Sequence, residues 1–168
     1  MFKGVDFKSL ENLSELFYRF WDSKIFFVGK GRSSEISKMI SMRASHYGIN
    51  AYSSEDSSSP PVSSSDLVVL ISGSVEGYEG LVERLKERIG FEISGIKREP
   101  AFYGIFGTEP NFDIPCLVLG GGKRSSYEML VEKELEPFYV VAPVVLNFCL
   151  RKAAERKGIT KKLAKERH

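Results

Sequence analysis

Two short segments carry the residues best suited to chemistry: Gly29-Lys30-Gly31-Arg32-Ser33-Ser34 and Ser72-Gly73-Ser74-Val75-Glu76-Gly77. Both mix glycine with hydroxyl groups, a combination suited to holding an anion. Serine hydroxyls donate hydrogen bonds without adding charge, and the Arg32 guanidinium can grip a phosphate through two parallel N–H groups. Glycine lacks a Cβ and lets the backbone come close to a ligand. Taken singly, glycine and serine after a strand are ordinary turn and cap residues. The specific signal is that two such loops occur in one chain in equivalent settings.

Those settings come from the elements on either side. Ile25-Phe26-Phe27-Val28 is a short apolar run that reads as a buried strand ending at Gly29, and Leu67-Val68-Val69-Leu70-Ile71 is a stronger one ending at Ser72. Helical spacing follows each loop, over 33–47 through Ile36, Met39, Ile40 and Met42, and over 76–89 through Leu81, Val82, Leu85 and Ile89. An amphipathic helix over 7–22 opens the chain, and another over about 138–157 closes most of it, with a short piece after Gly158. Further strands are expected at Asn50–Tyr52, Phe102–Phe106 and Cys116–Leu119. The serine-rich stretch from Ser53 to Ser65 feeds straight into the Leu67 run, so it reads as a loop between two strands of one sheet. Alternating strands and helices predict an α/β fold, a three-layer sandwich around a five-stranded parallel, doubly wound sheet. In such a sheet ligands bind beyond the carboxyl ends of the strands. There a helix N-terminus presents unpaired N–H groups to an anion.

Bulk properties exclude other classes. One domain over 1–168 fits the length. A formal net charge of +2 gives no reason to expect nucleic acid or a membrane surface as partner. Cys116 and Cys149 lie far apart, and His46 and His168 are the only histidines, so neither a disulfide framework nor a metal site is expected. No apolar run approaches the ~20 residues of a membrane span, and the N-terminus lacks the apolar stretch of a signal peptide. The chain reads as cytoplasmic. A rival reading takes Gly29-Lys30-Gly31-Arg32-Ser33-Ser34 as a dinucleotide fingerprint with Glu55 or Asp56 as the ribose-binding acid. It needs a third glycine where Ser34 stands, and it leaves the second loop without a role.

From Ile25 to Glu76 the chain resembles the sugar-isomerase (SIS) family, and within it the 6-phospho-3-hexuloisomerases. Gly29, Gly31, Arg32 and Ser33 carry the likeness, with Met42, Arg43, His46, Gly48, Asn50 and Tyr52, then Pro60, Asp66, Leu67 and Ile71-Ser72-Gly73-Ser74. A weaker match covers Gly158-Ile159-Thr160 and Arg167-His168. The resemblance implies a flavodoxin-like SIS fold, a homo-oligomer (dimer or tetramer) and a phosphorylated sugar as ligand, with no cofactor. It implies binding by Gly31, Arg32, Ser33, Ser34, Ser72, Gly73, Ser74, Val75 and Glu76. The implied reaction is a cofactor-independent isomerisation of a ketohexose 6-phosphate, in carbohydrate metabolism. Proton shuttling through an enediol needs a carboxylate base and a second group for the oxygen protons. His46 matches a family histidine, which the resemblance makes a catalytic candidate reaching into a neighbouring subunit's site, although a helix histidine beside Met42, Arg43 and Tyr47 otherwise reads as a packing or surface residue.

The departures gather at the chemistry. In Pro137-Phe138-Tyr139-Val140, Tyr139 stands where the family has its catalytic glutamate. A phenol ordinarily titrates near 10, too high for a base at neutral pH. Glu136 becomes the expected base, with Glu134 behind it. Gly77 replaces a threonine of the second loop. An alternative follows: a SIS protein that binds or senses a phosphosugar without turning it over. Gly120-Gly121-Gly122-Lys123-Arg124-Ser125-Ser126 reads mainly as a flexible turn after a strand.

Overall fold

The computed structural model describes residues 7–89, the backbone of 91–93 and 96–98, and residues 100–120 and 137–159. The elements in order are α1 (Phe7–Arg19), β1 (Lys24–Gly29), α2 (Arg32–His46), β2 (Asn50–Ser53), β3 (Leu67–Ser72) and α3 (Glu79–Ile89). They continue with β4 (Phe91–Ile93), β5 (Ile96–Arg98), β6 (Ala101–Phe106), β7 (Cys116–Val118) and α4 (Pro137–Arg156). Five strands form one sheet in the order β2-β1-β3-β6-β7, and every pairing in it is parallel. The predicted α/β sheet is therefore present, and its order reverses at β1 and β3. A topological switch point of this kind leaves a crevice for a ligand.

Alternation along the strands divides the core between the two sheet faces. Ile25, Phe27, Leu67, Val69 and Ile71 point to one side, where they meet Leu13 and Phe17 of α1, Ile36 and Ile40 of α2, and Phe138, Ala142 and Leu146 of α4. Phe26, Val68 and Leu70 point to the other, where they meet Tyr78 and Val82 of the α3 region. All six residues of β3 are buried. That is why its sequence is a continuous apolar run with no alternation.

Two differences from the sequence reading have clear local causes. The helix expected from residue 76 begins at Glu79, because Val75 (φ 68) and Gly77 (φ 77) hold the chain in a left-handed turn first. An antiparallel pair, β4 with β5, joins α3 to β6 where no element was expected. Both of its strands are three residues long, too short for a periodic signal to stand out. The piece after Gly158 and the glycine-rich turn from Gly121 onward fall outside the described residues. Among the described residues no helix is long and apolar enough to cross a membrane, and no group of three or more His, Cys, Asp or Glu side chains could hold a metal ion.

The serine-rich connection between β2 and β3 is tied at both ends. Ser54 bridges the backbone N–H and carbonyl of Gly29 at 3.4 and 3.3 Å. At the other end Asp66, only 2% exposed, accepts hydrogen bonds from the Lys24 N–H (3.3 Å), the Ser63 N–H (2.7 Å) and the Ser63 hydroxyl (2.7 Å). It also pairs with the Lys24 ammonium at 3.2 Å. Asp66 thus closes the amino ends of β1 and β3 and leaves their carboxyl ends for the site.

Candidate functional site

The carboxyl ends of β1 and β3 lie side by side, with Gly29 the cross-strand partner of Ile71. This register brings the two glycine- and serine-containing loops together. The first turns sharply. Gly29 has no Cβ because one would stand 2.2 Å from the Ser33 carbonyl oxygen, so the start of α2 folds directly back on the end of β1. Gly31 caps α2 with φ 56 and offers no side-chain oxygen to its first turn. The Ser34 hydroxyl donates to the Gly31 carbonyl at 2.7 Å, which fixes the loop from within.

The second loop is shaped by Ser72, whose hydroxyl oxygen accepts the Val75 N–H at 3.1 Å. Val75 has φ 68, a region strongly disfavoured for a β-branched residue. Such strain persists only where the surroundings hold it, and it gathers at ligand sites. Ser33, Ser34 and Ser72 are buried, whereas Arg32, Ser74 and Glu76 are exposed. The expected ligand residues therefore divide. Ser34 and Ser72 build the loops with their hydroxyls, and Arg32, Ser74 and Glu76 face outward where a ligand can reach them.

The start of α4 roofs the crevice. The Tyr139 hydroxyl lies 3.2 Å from where a Cβ on Gly73 would stand, and the Arg32 guanidinium sits 4.3 Å above the Tyr139 ring. Pro143 lacks the N–H that would bond the Tyr139 carbonyl one turn back. The position expected to hold a base thus holds a phenol that touches both loops. Glu136 and Glu134 fall outside the described residues.

His46 does not join this site within the chain. It ends α2, whose rise of ~1.5 Å per residue carries it about 20 Å from Arg32. There it lines an apolar hollow of about 350 Å³ between α2 and α4, with Met39, Met42, Pro143, Val144 and Asn147. Met39, Met42, Val140 and Val144 are all exposed on this face.

The dinucleotide reading loses its acid. Glu55 is taken by Lys38 at 2.6 Å, and that hydrogen bond, helped by Ser34, draws its carboxyl below the ordinary value. Asp56, exposed, accepts hydrogen bonds from the N–H and hydroxyl of Ser58 at 2.9 and 2.7 Å.

Sequence reasoning missed Tyr78, which is 1% exposed. Its hydroxyl donates to the Ile71 carbonyl at 3.1 Å, and its ring lies beneath the Lys30 ammonium, 5.4 Å from ammonium to ring centroid. One side chain therefore ties the end of β1 to the end of β3. A tyrosine just after a glycine loop gives no signal for this, since its partners are distant in sequence. Burial pushes the phenol up to about 12. Because the folded value lies above the ordinary 10, the neutral phenol favours folding below pH 10. This contribution fades as pH rises through 12. The urea stability of wild type relative to Tyr78→Phe is expected to fall by roughly 2 kcal/mol over that window. A difference that stays flat from pH 9 to 12 would show that the phenol is not held neutral.

No protein-family model matches the chain. An uncharacterized protein of Archaeoglobus fulgidus is 27% identical over 151 residues, 86% of this chain and 78% of that one. The 3-hexulose-6-phosphate isomerase of Mycobacterium gastri is 35% identical over 51 residues, 30% of this chain and 26% of the enzyme. Among solved structures, a hypothetical protein of Methanococcus jannaschii with an inferred function of 3-hexulose-6-phosphate isomerase superposes with a TM-score of 0.71. It is 22% identical, over 96% of this chain and 84% of that one. The Vibrio vulnificus NanR protein complexed with ManNAc-6P gives 0.67 at 18% identity, over 98% and 60% of the two chains. The sugar isomerase domain of an RpiR transcription factor from Sphaerobacter thermophilus gives 0.63 at 17% identity, over 98% and 85%.

Proposed function

For this chain, whose fold is that of the sugar-isomerase (SIS) domains, we propose that it binds a phosphorylated sugar in the crevice between the β1 and β3 loops. The observation that carries this reading is the junction itself. Two tight loops, one strained at Val75, meet at the switch point of a parallel sheet, with Arg32 and Ser74 exposed around them. The similarity to the Mycobacterium gastri isomerase and the ManNAc-6P bound by the NanR protein support the ligand class. Tyr139 favours binding without turnover. Its hydroxyl stands over Gly73 and its ring holds Arg32, so a phenol and a guanidinium line the place where an isomerase needs a carboxylate.

A second reading keeps the isomerase reaction on a ketohexose 6-phosphate, with Glu136 as base and His46 reaching the site of a second copy in a homo-oligomer. The 35% identity to the isomerase over 51 residues favours it.

One set of measurements separates the two. Fructose 6-phosphate is expected to raise the melting temperature of the full chain, while 3-hexulose 6-phosphate is not converted to it. Measurable conversion would establish the isomerase reading. No stabilisation by any hexose or pentose phosphate at millimolar concentration would remove both. Sedimentation of the same sample reads the assembly, and a monomer would remove the role given to His46.

A further inference from the structure

Lys30 follows β1 directly and is exposed, yet its ammonium is held in one place. It lies 5.4 Å from the centroid of the Tyr78 ring and 3.4 Å from the point where a Cβ on Gly77 would stand. The side chain therefore reaches from the first loop across to the second. Lys24, Lys38, Lys152 and Lys157 each pair with a carboxylate. Among the described residues none pairs with Lys30, although Glu76 stands next to Gly77 in the chain. The result is a positive charge that no carboxylate of the described residues pairs with, set against an aromatic face at the junction of the two loops.

We propose that Lys30 is a specificity-determining residue that selects the phosphate of the ligand, and that Tyr78 is the positioning residue that aims it. This rests on the binding reading above and deepens it. An ammonium is a compact point charge with three donors, and a phosphate ester seated between the loops would meet Lys30 on one side and Arg32 on the other. A ring beneath the ammonium restricts the side chain before the ligand arrives. This reduces the ordering cost that a long, flexible side chain otherwise brings to binding. A sugar without phosphate gains nothing from either cation, so the pair discriminates by charge.

The test is calorimetric titration of the full chain with fructose 6-phosphate, inorganic phosphate and fructose. Lys30→Gln is expected to weaken both phosphate ligands about tenfold (~1.4 kcal/mol), and Lys30→Arg to stay within about threefold of wild type. Tyr78→Leu, which removes the ring beneath the ammonium, is expected to weaken them about fourfold in the wild-type background and negligibly in the Lys30→Gln background. Such non-additivity is the mark of a residue acting through another. Lys30→Gln with wild-type affinity and wild-type melting temperature would overturn the inference alone. So would a Tyr78→Leu effect of equal size in both backgrounds, which would make Tyr78 purely structural. A wild-type chain that takes up neither phosphate ligand overturns both this inference and the reading beneath it.

Discussion

Gly29→Ala is expected to destabilise the protein by about 3 kcal/mol and to abolish sugar-phosphate binding at the same time. The added methyl would stand 2.2 Å from the Ser33 carbonyl oxygen, 2.4 Å from the carbon bearing it and 2.8 Å from the Ser34 nitrogen. All three are backbone atoms, so relief requires moving the start of α2 as a whole. That movement pulls Ser33 and Ser34 away from the loop joined to β3, and the crevice loses one wall. Gly80→Ala is the control, because there the Cβ meets only the flexible Arg84 guanidinium at 3.4 Å. In the first turn of α3, alanine is expected to change stability by no more than about 1 kcal/mol, in the stabilising direction. Chemical denaturation and ligand titration of both variants check the pair. A Gly29→Ala protein with wild-type stability would mean that α2 yields freely, and the account of the first loop would fail.

Asp66→Ala is expected to cost a similar amount, about 3 kcal/mol, yet to leave the affinity of the folded protein unchanged. The buried carboxylate is the acceptor for two backbone N–H groups, one hydroxyl and an ammonium. Removing it leaves those donors without their partner in a place where water replaces it poorly. They lie at the amino ends of β1 and β3, the opposite edge of the sheet from the ligand loops. The two substitutions thus separate stability from binding. Loss of affinity in folded Asp66→Ala would show that the two edges of the sheet are coupled.

Much of the fold was legible because β1 and β3 are buried on both faces and so appear as unbroken apolar runs, each ended by glycine or serine. The helices were legible to within about three residues, since α1, α2 and α4 turn an apolar stripe to the sheet. The β4–β5 pair escaped because three residues are too few to establish a period. The site was legible only in part. Loop composition pointed to Arg32, Ser33, Ser34 and Ser72 through Glu76, but could not tell hydroxyls that build the loops from groups that face a ligand. Ser72 and Ser74 are two residues apart with identical side chains. One is buried on Val75 and the other is exposed. Tyr78 and Lys30 were illegible for a related reason. Their importance lies in joining two loops, and no spacing along one segment encodes a contact between two. His46, which the resemblance makes a catalytic candidate reaching into a neighbouring subunit's site, lies at the far end of α2 from the first loop of its own chain.

The parallel register of the sheet has a consequence for how this protein comes into being. Parallel neighbours cannot be joined by a hairpin, so β1 must find β3 across an intervening helix, a strand and a long serine-rich connection. The chain entropy lost in closing that span precedes any reward from pairing, which makes assembly of the central strands a slow step. The crevice straddles the same two strands, so its two walls meet only once that span has closed. Competence to bind therefore arrives late and all at once, with the closing of the sheet.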